Sequence, residues 1–114
     1  MILLPYYSEL DKCIDRRLLS FMHNSSLVIN AARGRLIDLI ALYDLVHEKN
    51  IYAALDVFDV EPLPTEHPLL SLQNVIATHH IAAATVENYK NTGIHAAQTI
   101  IDFFEGKAIT NLVN

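Results

Sequence analysis

Arg33, Asp56, Glu61 and the pair His79-His80 are the residues whose types could do chemistry together, and each follows a short apolar run. Leu27-Val28-Ile29 leads into Asn30 and Arg33, Ala53-Ala54-Leu55 into Asp56 and Glu61, and Asn74-Val75-Ile76-Ala77 into Thr78-His79-His80-Ile81. An imidazole titrates near neutral pH and can carry a proton in either direction, and a guanidinium is a planar, permanently charged fork suited to an anion. Runs this short, rich in Val and Ile and apolar at every position, read as strands buried on both faces, the habit of a parallel sheet. Parallel strands point one way, so their polar ends gather along one edge, where ligands bind in open α/β sheets. The expectation is one crevice holding an Arg, two carboxylates and at least one His.

The elements between these runs are legible from caps and periodicity. Ile2 to Leu4 reads as a strand end, left by way of Pro5-Tyr6-Tyr7-Ser8. Asp15 suits a helix N-cap ahead of Leu18, Leu19 and Met22 on one face, in a helix ending near His23-Asn24. In the turn Ala31-Ala32-Arg33-Gly34, the glycine is expected to supply backbone angles that other residues resist. Asp38 caps the next helix, in which Leu39, Leu42, Leu45 and Val46 recur at helical spacing, His47 and Lys49 suit its negative end, and Asn50 closes it. A strand over Ala53 to Phe58 precedes the longest loop, where Pro62, Pro64 and Pro68 forbid a ladder, and a strand over Val75 to Thr78 follows. Thr85 caps a long helix to about Glu105, with Glu87 in its first turn and Gly106 as its stop. Its stripe of Tyr89, Gly93, Ala96, Ala97, Ile100, Ile101 and Phe104 reads as core packing, and the tail from Ile109 to Asn114 as a docked segment. Strand, helix, strand, helix, strand is the rhythm of βαβ units.

Composition bounds the function. The 114 residues are 52% hydrophobic and 18% charged, the profile of one globular unit. A formal net charge of -5, with Arg16-Arg17 the only adjacent cations, argues against nucleic-acid or membrane partners. Cys13 stands alone, which fits a reducing compartment. Met1-Ile2-Leu3-Leu4 stops at Pro5, too short for a signal-peptide core, so the expected location is cytoplasmic. His67, His79 and His80 have no Cys or carboxylate at zinc-ligand spacing, and no metal is expected.

Three stretches then align with one family. Asn30-Ala31-Ala32-Arg33-Gly34 with Asp38, the run Leu55-Asp56-Val57-Phe58-Asp59-Val60-Glu61-Pro62-Leu63-Pro64 continued by His67-Pro68-Leu69-Leu70, and Asn74-Val75-Ile76-Ala77-Thr78-His79-His80-Ile81-Ala82 resemble the motifs of the D-isomer-specific 2-hydroxyacid dehydrogenases. Gly106-Lys107 and Leu112-Val113-Asn114 resemble the family's C-terminus. Three motifs in order at sensible spacing are a specific signal. The resemblance implies an α/β fold, half of a Rossmann-like parallel sheet flanked by helices, with a long C-terminal helix. It implies that residues 1–114 are the nicotinamide-side half of an NAD-binding domain, with about 84–105 as crossover helix and 107–114 as C-terminal tail.

The resemblance also implies Arg33, Glu61 and His80 as the catalytic set. His80 would exchange the proton of the substrate hydroxyl while a hydride moves to or from the nicotinamide, Glu61 would orient and charge the imidazole, and Arg33 would hold the substrate carboxylate. Ala31, Ala32, Arg33, Asp56, His80, Ile81, Ala82 and Ala83 would border the cofactor, with Asp56 at the nicotinamide amide. The cofactor is expected to be NAD, with NADP as the alternative, and the partner a small 2-hydroxy or 2-oxo acid. His79 stands where the family usually has proline; Ile81-Ala82 and Thr85 fix the register that selects His80.

No Gly-x-Gly-x-x-Gly loop occurs, so the chain is expected to be a fragment, inactive by itself, of an enzyme that forms a homodimer. The stub at Ile2 to Leu4 should leave an apolar edge unpaired, and the chain is expected to self-associate. A dehydrogenase-like, non-enzymatic binding module of the corepressor type, or a gene remnant, is the rival reading.

Overall fold

The computed structural model describes residues 1–109, and they form two compact units that divide between Ala82 and Ala83. The first holds three parallel strands in the order β1 (Leu27–Asn30), β2 (Tyr52–Leu55) and β3 (Val75–Ala77). Val28 lies opposite Ala53, which lies opposite Val75, so one face of the sheet is continuous across all three strands. Helix α1 (Arg16–Ser20) precedes β1, and α2 (Leu39–Lys49) carries the chain from β1 to β2.

The core lies where α1 and α2 meet one face of the sheet. Val28, Ala53 and Leu55 are buried there with Leu19, Leu36, Leu42, Leu45 and Val46. The opposite face is open: Leu27, Tyr52 and Ile76 are exposed, and Ile29 and Ala54 only half-buried. This corrects the expectation of strands buried on both faces. An all-apolar run records what a strand can tolerate, not which neighbours cover it.

The caps behave as their residue types require. The Asp15 carboxylate accepts from Leu18 N–H at 2.9 Å, and Asp38 Oδ1 accepts from Ile40 N–H at 3.0 Å and Ala41 N–H at 3.2 Å. Asn50 closes α2 in the left-handed conformation, at φ 52°. Helix α1 is shorter than expected, ending at Ser20, with Leu18 exposed and only Leu19 buried in it. Strands β2 and β3 stop at Leu55 and Ala77, short of Phe58 and Thr78; the Asp56 and Thr78 N–H groups still donate to the carbonyls of Asn30 and Leu55, and beyond them the Phe58 N–H turns to Glu61 Oε1 and the Ile81 N–H to Asp56 Oδ1. Ile2 makes a single parallel bridge to Asn30, while Leu3 and Leu4 are exposed.

The second unit contains α3 (Val86–Phe104), capped by the Thr85 hydroxyl, which accepts from Asn88 N–H at 3.0 Å, and followed by Gly106 at φ +69°. No residue of α3, the stripe from Tyr89 to Phe104 included, is buried. Residues 110–114, with most of the proposed docking tail and Leu112-Val113-Asn114, lie outside the described residues. Among the described residues, no helix is long and apolar enough to cross a membrane.

Candidate active site

The site begins at the C-terminal end of β1. Asn30 is fully buried, and both ends of its amide are used: Oδ1 accepts from Ala32 N–H at 3.1 Å, and Nδ2 donates to the Arg33 carbonyl at 3.0 Å. A buried amide bonded in this way folds residues 30–33 into a fixed loop and presents the exposed Arg33 side chain. Gly34 follows for a reason other than backbone angle. A Cβ there would stand 1.9 Å from the carbonyl carbon of Phe58, so only hydrogen lets this loop press against the one after β2. The expectation of an unusual conformation at Gly34 is replaced by one of close approach.

The loop after β2 carries both carboxylates, in different roles. Asp56 is buried and clasps the loop after β3: Oδ1 accepts from the Thr78 hydroxyl at 2.5 Å and Ile81 N–H at 2.9 Å, and Oδ2 accepts from Ala82 N–H at 2.8 Å. Burial opposes its charge, but the bonds from Thr78, Ala82 and Ile81, with the nearby His80, outweigh burial and hold the carboxyl below its ordinary range. The Asp56 carbonyl accepts from His80 N–H at 2.8 Å, and His80 itself sits at φ 60°. That left-handed conformation is uncommon for a residue with a Cβ, and bonds on both sides of His80 hold it.

Glu61 faces the other way. Its Oε1 accepts from Phe58 N–H at 2.9 Å, and its Oε2 lies 2.9 Å from His80 Nδ1. The His80 bond, followed by the Phe58 N–H, lowers the Glu61 carboxyl below its ordinary range. An ionised Glu61 accepts from Nδ1–H, which leaves Nε2 as the imidazole nitrogen free for a substrate.

Arg33, Glu61 and His80 line one cavity of about 250 Å³, together with Gly34, Phe58 and Tyr6. The proposed catalytic set is therefore brought together from three sheet-end loops. His79 does not line the cavity that Arg33 shares; it lines a more apolar cavity of about 550 Å³ with Leu63, Leu70 and Ala77, which Glu61 and His80 also line, so the two adjacent imidazoles differ in that His80 is bonded to Glu61 and shares a cavity with Arg33. Ala31 and Ala32 line a third cavity, of about 450 Å³, whose wall Arg33 shares. Ile81 and Ala82 are tied to Asp56, which does not itself line the cavity of Arg33 and His80. Ala83 opens the second unit, where its carbonyl accepts from Asn88 Nδ2 at 2.8 Å. Sequence reasoning passed over Tyr6 as a residue of the site, and gave Asn30 and Thr78 no task beyond their places in the motifs. Their signal was a polar residue at the end of an apolar run, which identifies a strand end but not the groups it will bond.

Residues 1–82 match the family model described as D-isomer specific 2-hydroxyacid dehydrogenase, NAD binding domain, the same span as the first compact unit. Glyoxylate/hydroxypyruvate reductase B of Citrobacter koseri is 40% identical over 114 residues, 99% of this chain and 35% of that protein. A D-isomer specific 2-hydroxyacid dehydrogenase from Xanthobacter autotrophicus Py2, solved with NADPH and MES, superposes with a TM-score of 0.82 at 30% identity over 98% of this chain and 46% of its own. D-lactate dehydrogenase from Lactobacillus jensenii, solved with NAD+, superposes with a TM-score of 0.87 at 26% identity over 97% of this chain and 38% of its own. The chain thus spans about a third of the length of the curated relatives it matches. With its motifs on three neighbouring sheet ends and its first unit matched throughout, the chain belongs to the D-isomer-specific 2-hydroxyacid dehydrogenase family.

Proposed function

We propose that this chain is the nicotinamide-side part of an oxidoreductase that interconverts a D-2-hydroxy acid and its 2-oxo acid, and that it is inactive without the remainder of the enzyme. In this reading residues 1–114 are half of an NAD-binding domain, with 84–105 as its crossover helix and 107–114 as its tail. One observation carries it: a guanidinium, a carboxylate and an imidazole line the same small cavity, and the carboxylate is bonded to the imidazole at 2.9 Å.

The residues present suit a nicotinamide cofactor. Ala31 and Ala32 leave a cavity of about 450 Å³ beside Arg33, inside the range of about 300–1,000 Å³ usual for small-molecule sites. The Asp56 carboxylate accepts three bonds from the chain, so one of its roughly four acceptor positions is left for an amide N–H. Ala31, Ala32, Asp56, Ile81, Ala82 and Ala83 would hold the cofactor, which supplies or accepts the hydride. NAD and NADP remain alternatives.

The chain's own residues do the rest. Arg33 binds the substrate carboxylate through paired N–H donors and so places C2 near His80. His80 gives a proton from Nε2 to the C2 oxygen during reduction and removes it during oxidation. Glu61 holds the ring in orientation by accepting from Nδ1–H. The test is turnover of 2-oxo acids by the complete enzyme with reduced cofactor. His80→Asn should lower kcat by about 10²–10⁴-fold, the usual weight of a positioned acid/base. Full activity in that variant would overturn the assignment.

A further inference from the structure

Thr78 has no role in the chemistry above, yet its hydroxyl is committed to one partner. The residue is exposed, and the hydroxyl donates to Oδ1 of the buried Asp56 at 2.5 Å rather than being left to water. The same oxygen accepts from Ile81 N–H at 2.9 Å, Oδ2 accepts from Ala82 N–H at 2.8 Å, and the Asp56 carbonyl accepts from His80 N–H at 2.8 Å. Of the three groups that bond the carboxylate, Thr78 alone also continues the sheet, its N–H donating to the Leu55 carbonyl at 2.9 Å. Ile81 and Ala82 are successive donors on the loop beyond His80.

A carboxylate held only by Ile81 and Ala82 can turn about its own side-chain bonds and travel with that loop. The Thr78 hydroxyl adds a third point that is anchored to the sheet, so the carboxylate is fixed and the loop with it. His80 lies between these anchors at φ 60°, a conformation that a residue with a Cβ keeps only where its surroundings impose it. We propose that Thr78 is a positioning residue for His80: its hydroxyl locks the Asp56 carboxylate, and the locked carboxylate holds residues 80–82 so that the imidazole meets Glu61. This rests on the reading of His80 as the acid/base of a 2-hydroxy acid centre. The contact being protected is the 2.9 Å approach of Nδ1 to Glu61 Oε2, and a hydrogen bond of that length tolerates little displacement. Arg33 reaches the site from the loop after β1, whose own amide bonds do not involve Thr78. Loss of the hydroxyl should therefore disturb proton transfer and leave the grip on the substrate carboxylate intact.

The experiment measures kcat and KM of the complete enzyme with a 2-oxo acid it reduces, together with amide hydrogen exchange of residues 80–82. Thr78→Val keeps the shape of the side chain and removes the hydroxyl. It should lower kcat by about 10–100-fold, since a misplacement of about 1 Å commonly costs about 100-fold, and leave KM for the acid within about twofold of the parent. Exchange at residues 80–82 should become faster while exchange at Val28 and Ala53 in the sheet stays as in the parent. Thr78→Ser, which restores the donor, should recover kcat to within about threefold, well short of the cost of misplacement. Thr78→Ala should behave as Thr78→Val does and carries the test should the valine variant fail to fold. Unchanged kcat, unchanged exchange at residues 80–82, or a serine variant as slow as the valine one would each overturn the role of Thr78 alone. Full activity in His80→Asn overturns the site reading and this inference with it.

Discussion

The unit from Met1 to Ala82 and the helix α3 are both rich in apolar residues, yet they keep their structure by different means. In the first, sixteen hydrophobic side chains are buried, Leu36, Leu42, Ile51 and Leu69 completely, and the hydrophobic effect holds the loops that end at Arg33, Glu61 and His80. In α3 nothing is buried, and Phe104 is 82% exposed. Local bonds serve it instead: the Thr85 cap, Gln98 donating to Asp102 at 2.9 Å, and Lys107 beside Glu105 at 2.6 Å. Such pairs contribute a few tenths of a kcal/mol each, whereas a buried Leu contributes about 1.5–3 kcal/mol. Amphipathic spacing alone therefore does not tell whether a helix face is covered.

The difference is broken most severely at Gly34. Gly34→Ala drives a methyl group into the Phe58 backbone, where no side-chain rotation can relieve it, and should cost on the order of 4 kcal/mol or more. Urea unfolding of the variant should show little or no cooperative transition for the first unit. A midpoint equal to that of the parent would mean the two loops do not approach as closely as described.

Asp56→Ala is the next largest. It leaves the N–H groups of Ile81 and Ala82 and the Thr78 hydroxyl without their acceptor and should cost about 2–4 kcal/mol. It also changes the pH profile. Asp56 and Glu61 both have carboxyl groups lowered by folding, so the stability they contribute is fully present above the ordinary carboxylate range. It is lost as pH falls through their folded values. Urea midpoints measured from neutral pH into the acid range should fall steeply for the parent and less steeply for Asp56→Ala; parallel curves would show that Asp56 is not held below its ordinary range.

The smallest effect belongs to α3. Phe104→Ser replaces a ring exposed to water and should change stability by no more than about 0.5 kcal/mol. Circular dichroism of the thermal transition tests this. A loss comparable to that of Asp56→Ala would show that the ring is covered in solution, which would narrow the contrast between the two regions.

Much of this protein was legible in its residues because the relevant forces are local. Asp15, Asp38 and Thr85 begin helices since a short polar side chain reaches free N–H groups two or three residues on, and Asn50 and Gly106 end them because they tolerate positive φ. The three polar ends were legible as well, since parallel strands must deliver them to one edge. Tertiary structure decided what depends on distance between segments remote in sequence. It decided that Gly34 is small because of Phe58, that His80 and not His79 meets Glu61, and that Asp56 clasps residues 78–82. It also joined Tyr6 to the cavity of Arg33. None of these is written in the spacing of one segment, because a close contact is a property of two loops and appears only when the sheet has placed both.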